Sequence, residues 1–205
     1  MNNIVIVSYD CTELSDYFKK CNEDIKTFIS YKNITINIDC NHNSDRNTIH
    51  KNINKYTDNY IVSIFAHGCD DRIVDNDENI LINTDDAIIY YNNAIVYSGA
   101  CLSANELGTT MHSNNCKLFY GYTKKFYLSP FSNDTFVELN NFALKELLIN
   151  ENIEPKELCE KIDKFFNDKI EYFSNHEPIS ALFINPMIMH NKESYVIYKN
   201  RKNYP

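Results

Sequence analysis

Two short apolar segments constrain the fold of this chain more than any other feature. They are Ile61–Phe65 and Ala94–Tyr97, which consist mainly of β-branched and aromatic residues and contain no charge. A strand covered on both faces of a parallel sheet has this continuous apolar pattern, whereas a strand with one solvated face alternates. Between them, Thr84–Tyr90 opens with a capping residue type and continues with apolar residues, as a crossover helix does. We therefore predict two parallel strands that lie side by side or nearly so.

Each apolar segment leads directly into a residue that can take part in catalysis. The first is followed by Ala66–Gly68, which contains His67, and the second by Ser98–Cys101. Because the carboxyl ends of parallel strands share one edge of a sheet, and open α/β sheets carry their sites there, His67 and Cys101 are predicted to lie together. A thiol with a histidine at hand is the minimum apparatus for nucleophilic catalysis by cysteine. The sequence thus indicates Cys101 as the nucleophile and His67 as its base.

Strands and helices alternate along nearly the whole chain, without an internal repeat. This order predicts one domain over residues 1–205, an α/β fold with a mainly parallel sheet in a three-layer α/β/α sandwich. We expect helices at 12–20, 44–55, 103–112, 131–149 and 155–173, and strands at 4–8, 118–120, 181–184 and 195–198. Residues 25–31 and 34–38 are interpreted as a hairpin or two short strands, and 73–74 with 80–82 as a small β-ribbon.

The arrangement of the two motifs resembles the caspase–gingipain–separase superfamily of cysteine proteases, in which a strand ending in His-Gly precedes a strand ending in Ala-Cys. The segment Tyr97–Ala104 is most similar to the bacterial CHAT branch, and the segment Lys117–Tyr122 and the long helix after Phe131 also fit that branch. The resemblance implies a caspase-like fold and a His-Cys dyad that cleaves a protein or peptide substrate.

The resemblance also implies how the transition state is held and how the protein is controlled. The backbone N–H groups of Gly68 and Cys101 would form the oxyanion hole. Independently of the resemblance, if the helix predicted at 103–112 starts immediately after Cys101, its N-terminal dipole would also favour the thiolate. CHAT-like proteases often serve in bacterial defence or programmed death, where a partner activates them. A separate regulatory or sensor protein is therefore expected as a partner.

The substrate preference is not set by the motif itself. Superfamily members that cleave after Arg or Lys carry an acid two residues before the cysteine, and here that position is Gly99. Three acids in nearby loops are the remaining candidates for a substrate pocket: Asp70, Asp71 and Asp134. The Gln-Ala-Cys-Arg-Gly form of animal caspases is missing, so the motif gives no support for cleavage after Asp.

Composition and charge exclude several other classes of protein. The net charge of −8 disfavours nucleic acid as a direct partner, since phosphate neutralisation needs clustered Lys and Arg. The seven scattered cysteines contain no C-x-x-C pair, which is typical of a reducing compartment. The start of the chain lacks a signal-peptide pattern and no segment has the length of a membrane span, so we expect a cytoplasmic protein without a membrane partner.

Three alternative readings of the sequence remain to be weighed. His67 and Cys69 could begin a metal site, but no second pair has zinc spacing, so we expect neither a metal nor another cofactor. A nucleotide-binding domain would need a glycine-rich turn after Ile4–Ser8, where the sequence has no glycine. The second hypothesis for function is therefore a catalytically silent interaction or adaptor module on the same scaffold.

Overall fold

A computed structural model describes residues 3–9, 14–58, 60–129 and 132–200. The strands are β1 Asn3–Ser8, β2 Asn37–His42, β3 Tyr60–Phe65, β4 His67–Gly68, β5 Arg72–Val74, β6 Ile80–Asn83, β7 Ile95–Ser98, β8 Leu118–Tyr122 and β9 Tyr195–Lys199. The helices are α1 Ser15–Tyr31, α2 Arg46–Ile53, α3 Thr84–Ile89, α4 Glu106–Ser113, α5 Asn133–Ile149, α6 Pro155–His176 and α7 Pro178–Ser194.

Six of these strands form the central sheet, in the order β2-β1-β3-β7-β8-β9. All neighbours in it are parallel except β9, which pairs antiparallel with β8 at one edge. The two segments that the sequence singled out are neighbours, with Ile61 opposite Ile95 and Ile64 opposite Ser98. The predicted α/β fold with a mainly parallel sheet is confirmed.

Apolar residues on the two faces of the sheet belong to two separate cores, because successive side chains of a strand point to opposite faces. Ile4 and Ile6 of β1 belong to the core that includes residues of α1, α5, α6 and α7, whereas Val5 and Val7 belong to the core that includes residues of α2, α3 and α4. The same alternation runs through β3, β7 and β8. Helices therefore cover both faces, which is why strands β1, β3 and β7 have no polar face in their sequence.

Most of the predicted elements lie where the sequence placed them. Confirmed are the β5–β6 ribbon, α2, α5, α6 and the strand at 195–199. Two helices were expected to begin at residues 12 and 131, and residues 10–13 and Phe131 lie outside the described residues. The crossover helix α3 is also confirmed, but its N-cap is Asn83 and not Thr84. The Asn83 side chain accepts from the Asp86 N–H, and the Asp86 side chain accepts from the Asn83 N–H.

The prediction of β-structure at residues 25–31 is wrong. This segment belongs to α1, in which Cys21, Ile25 and Ile29 are buried at a spacing of four residues. The following strand, β2, begins only at Asn37, so no hairpin forms. A short apolar segment fits either a strand or one buried helix face, and here the packing of α1 against α5 decides for the helix.

The prediction of a strand at 181–184 is also wrong, because these residues lie within α7. Ala181, Ile184 and Ile188 are buried at helical spacing, whereas Leu182 and Phe183 are about 70% exposed. Four consecutive apolar residues suggested a strand covered on both faces, but only two of them reach the core.

Among the described helices, none is long and apolar enough to cross a membrane.

A partly buried ion pair between α2 and α3, with Asp86 buried and Arg46 partly exposed, gives a prediction for stability. Asp86 is almost fully buried, accepts from Arg46 Nη2 at 2.8 Å, and lies 3.7 Å from His50 Nδ1. His50 also stacks on the Tyr90 ring at 4.3 Å. Burial lowers the pKa of His50 below its ordinary value, the Arg46 charge lowers it further, and Asp86 partly opposes both. The folded state therefore resists protonation of this imidazole.

We expect His50 to cost stability as the pH falls below about 6.5, where the unfolded chain takes up a proton that the folded chain does not. The free energy of unfolding should fall with a slope of at most about 1.4 kcal/mol per pH unit from this group, until the folded-state pKa is reached. Urea unfolding of the wild type and His50→Gln between pH 7.5 and 5 measures the difference. Parallel curves for the two proteins would contradict this assignment.

Candidate active site

The carboxyl ends of β3 and β7 bring the two predicted residues to one edge of the sheet. The Gly99 N–H donates to the Ile64 carbonyl at 2.8 Å, which extends the pairing of the two strands beyond the end of β7. His67 follows β3 after one residue and opens the β-ribbon, and Cys101 follows β7 in a turn. His67 and Cys101 therefore leave adjacent strands in the same direction.

Gly68 packs directly on the backbone of Cys101. A Cβ atom at Gly68 would overlap the Cys101 carbonyl oxygen, and would lie 2.9 Å from Ala100 Cβ and 3.1 Å from Cys101 N. Only glycine permits such an approach of two backbones. The contact fixes the start of the ribbon, and with it the His67 backbone, against the turn that carries the cysteine.

Cys101 is half-buried and its sulfur is held by a backbone group. The Phe126 N–H donates to Cys101 Sγ at 3.2 Å. Burial raises the pKa of the thiol above its ordinary value, while this hydrogen bond and the charge of Lys125 lower it in part. The net direction is upward, so the resting residue is a neutral thiol that needs a base before it can act as a nucleophile.

The residue after the cysteine has an unusual backbone conformation. Leu102 has a φ of 61°, in the left-handed region that residues other than glycine rarely adopt. Its N–H donates to the Lys124 carbonyl at 3.3 Å, which holds the turn in place. Backbone strain of this kind costs on the order of 1–3 kcal/mol and tends to be found at functional sites.

The expected helix dipole at the thiol is wrong, because α4 starts at Glu106 and not directly after Cys101. Residues 101–105 form turns, in which Ser103 Oγ donates to the Ala100 carbonyl at 2.9 Å. The helix N-terminus is therefore displaced from the sulfur by a turn, and dipole effects fall off within about one turn. Among the described residues, the Phe126 N–H and not the helix dipole favours the thiolate form of Cys101.

His67 is half-buried and its ring meets the ring of Phe18 edge-on, with centroids 6.3 Å apart. Within the described part of the chain, the imidazole makes no hydrogen bond to Cys101 Sγ. The structure thus brings the two residues to one sheet edge without closing the pair. Catalytic hydrogen bonds are often long or open in an unliganded enzyme and tighten when substrate binds.

The three candidate pocket acids are all engaged with other side chains. Asp70 Oδ1 accepts from Asn105 Nδ2 at 2.6 Å, and Asp71 pairs with Arg72 at 2.8 Å. Asp134 pairs with Lys20 at 2.8 Å and lines a cavity of about 530 Å³ that contains neither His67 nor Cys101. Of the three, Asp70 is the one joined to the turn after the cysteine, through Asn105.

The position of Gly99 leaves no room for an acid there. A Cβ at Gly99 would lie 3.1 Å from Asn140 Nδ2 and 3.3 Å from the Ile64 carbonyl. Asn140 is fully buried and its Oδ1 accepts from the hydroxyl of Tyr97 at 2.9 Å. An aspartate side chain at position 99 would therefore enter a filled, hydrogen-bonded core, so a basic substrate residue has no partner at this position.

The loop from Thr123 to Tyr127 is a part of the site that sequence reasoning missed. Its carboxyl-terminal half is bound by α7, where Asn191 Oδ1 accepts from the Tyr127 N–H at 2.7 Å and Asn191 Nδ2 donates to the Tyr127 carbonyl at 2.8 Å. The Thr123 N–H donates to the Ser194 carbonyl at 2.7 Å. These contacts join residues more than 60 positions apart, and nothing in the local sequence indicates them.

A metal site is not assembled near these residues. In the ranges that the structure describes, no three His, Cys, Asp or Glu side chains are grouped to hold a metal ion. His67 and Cys69, which the sequence offered as the beginning of such a site, lie on the ribbon without a second pair of ligands.

Comparison with solved structures identifies a protein of similar fold. No family model and no curated protein matches the sequence. Among solved structures, the chain is similar to the Arg-specific cysteine proteinase gingipain R, with a TM-score of 0.60 and 10% sequence identity. The match covers 97% of this chain but only 46% of that protein's chain. At this identity the likeness concerns the fold alone, and we conclude that the chain shares the α/β fold of the matched part of that protein.

Proposed function

We propose that the chain is a single peptidase domain over residues 1–205, a cysteine endopeptidase that uses His67 and Cys101 to cleave a protein or peptide. The observation that carries this proposal is the close contact of Gly68 with the backbone of Cys101. It ties a histidine and a cysteine from two neighbouring strands to the edge of the sheet at which α/β proteins carry their sites. The caspase-like fold supports the same class of reaction.

The proposed reaction runs in two halves. His67 accepts the thiol proton, Cys101 Sγ attacks the scissile carbonyl carbon, and the carbonyl oxygen becomes an oxyanion held by the backbone N–H groups of Gly68 and Cys101. His67 then gives its proton to the leaving amine and an acyl-enzyme remains. Water, with its proton taken by His67, attacks the thioester carbonyl and releases the carboxylate product and the free thiol.

Because the pKa of Cys101 is raised, the proposed role of His67 is to deprotonate the thiol. A neutral, half-buried thiol reacts slowly with electrophiles, so a base beside it should accelerate its reaction at neutral pH. We expect an acyloxymethyl-ketone probe to label Cys101 selectively over the exposed Cys40 and Cys69. His67→Ala should lower that labelling by about tenfold or more, and Cys101→Ala should remove it.

The control for this test is His176→Ala, which changes an exposed histidine at the end of α6. It should leave the labelling of Cys101 unchanged. Labelling of Cys101 that is independent of His67, or equal to that of Cys40, would contradict the proposed dyad.

A finer proposal follows the CHAT resemblance: the chain is a protease of a bacterial defence or cell-death system that a regulatory protein activates. The open His67–Cys101 pair and the protonated resting thiol support it, since both would have to change before the first step. Full peptidase activity of the isolated chain would contradict this part of the proposal.

A catalytically silent interaction module is the second candidate, and one observation favours it. The only hydrogen-bond donor from another residue on Cys101 Sγ, among the described residues, is the Phe126 N–H, so the base is not engaged. The probe experiment separates the two candidates. Uniform labelling of the cysteines, both alone and with the activating partner, would favour the silent module.

A further inference from the structure

We propose that the exposed Lys124–Lys125 pair forms a basic rim beside Cys101, and that the preferred substrate is a peptide with an acidic residue at or next to the scissile bond. This inference rests on the proposed peptidase function, whose active site it extends. It names the substrate class, which the cysteine motif leaves open.

The backbone of the basic rim lies along the cysteine turn. The Lys124 carbonyl accepts from the Leu102 N–H at 3.3 Å, and the N–H of Phe126, the next residue after Lys125, donates to Cys101 Sγ at 3.2 Å. Two hydrogen bonds therefore pin the chain on either side of Lys125 to Cys101 and its successor. Both lysine side chains start within this pinned segment and are exposed.

The basic rim carries charge that the protein itself does not neutralise. Neither lysine forms an ion pair with any residue in the described ranges. Of the charged groups near Cys101, Lys125 is the one with the largest effect on the thiol, and it favours the negative form. An unpaired ammonium group on a flexible four-carbon stem can reach a carboxylate on a bound peptide.

Each of the three candidate pocket acids has a partner within the protein. Asp71 is paired with Arg72, Asp134 with Lys20, and Asp70 is hydrogen-bonded to Asn105. The buried amide of Asn140 fills the space that a side chain at position 99 would occupy, so this position offers no acid to a basic residue of the substrate. In the loop whose backbone contacts Cys101 and Leu102, the charged side chains are therefore two lysines without an ion-pair partner among the described residues, in a chain whose net charge is −8.

The charge of the basic rim can be measured without any peptidase activity, by alkylating Cys101 with anionic iodoacetate and neutral iodoacetamide. Cationic groups beside a thiol raise the local concentration of an anionic reagent. We expect the iodoacetate-to-iodoacetamide rate ratio to be roughly three- to tenfold higher at Cys101 than at Cys40, which lies exposed on β2. The excess should shrink as salt is added.

The decisive variant is Lys124→Glu/Lys125→Glu, which should bring the ratio at Cys101 to or below that at Cys40. Lys26→Glu/Lys51→Glu changes the net charge equally at exposed positions on α1 and α2 and should leave the ratio unchanged. Equal ratios at Cys101 and Cys40, no response to the charge reversal, or a Cys101 that neither reagent reaches would each overturn the basic rim.

Cleavage of a proteome-derived peptide library then tests the substrate class. Acidic residues should be enriched at or next to the scissile bond, and the Lys124→Glu/Lys125→Glu protein should lose that enrichment. Cleavage without it would overturn this inference and leave the proposed peptidase function standing. A charge effect on alkylation, combined with labelling of Cys101 that does not depend on His67 and with no cleavage of the library, would overturn the peptidase function and support the basic rim.

Discussion

Replacing Gly68 by alanine should disable the site and destabilise the protein at once. The new Cβ would overlap the Cys101 carbonyl and crowd Ala100 Cβ, so either the ribbon or the cysteine turn must move. Overpacking between two backbones costs about 1–3 kcal/mol in the free energy of unfolding. A shift of about 1 Å between His67 and Cys101 should lower peptide cleavage by roughly a hundredfold.

The matched control for Gly68 is Gly108→Ala in α4. There a Cβ would lie 2.6 Å from Phe119 Cε1, so this variant also suffers a steric clash, but in the core and away from the thiol. We expect Gly108→Ala to lose stability and keep cleavage per folded molecule. Urea unfolding and peptide cleavage are to be measured on both variants. Wild-type cleavage by Gly68→Ala would show that this contact does not position the site.

Asn191 should act as a positioning residue for Cys101, although it does not touch the sulfur. It is fully buried, and its amide binds both the N–H and the carbonyl of Tyr127, one residue beyond the Phe126 N–H that donates to Cys101 Sγ. Asn191→Ala removes two hydrogen bonds and should cost about 1–3 kcal/mol of stability. It should also let the Phe126 N–H move away from the thiol.

Loss of the Phe126 hydrogen bond should change the pKa of Cys101 in a defined direction. Since that bond lowers the pKa of Cys101, its loss should move the pH midpoint of Cys101 alkylation upward. Asn185→Ala on the same helix is the control, because the Asn185 side chain bonds to Ile170 and Ser174 of α6 and, within the described ranges, to no residue of the loop 123–127. An equal midpoint in Asn191→Ala and the wild type would show that the loop keeps its place without this clamp.

Local patterns sufficed to predict the part of the fold that carries the site. The charge-free runs at Ile61–Phe65 and Ala94–Tyr97 indicated strands covered on both faces, and these are the neighbours β3 and β7. Their carboxyl ends then placed His67 and Cys101 at one sheet edge. This worked because strand periodicity and the direction of parallel pairing are properties of short segments.

Short apolar segments were misread where packing alone decides their conformation. Residues 25–31 and 181–184 fit a strand as well as a helix, and they became helical because α1 and α7 each bury one stripe of side chains in the same core, where α1 packs on α5 and α7 packs on α6. A run of four apolar residues does not predict how many of them are buried in the core.

The sequence by itself determined the fold class and the two residues at the sheet edge. Only the tertiary structure decided the surroundings of the thiol: the Phe126 N–H on the sulfur, the Asn191 clamp, the filled space behind Gly99 and the free lysines of the basic rim. These contacts join segments that are distant along the chain. No local pattern encodes them, because they depend on how α5, α7 and the loop after β8 pack around the carboxyl end of β7.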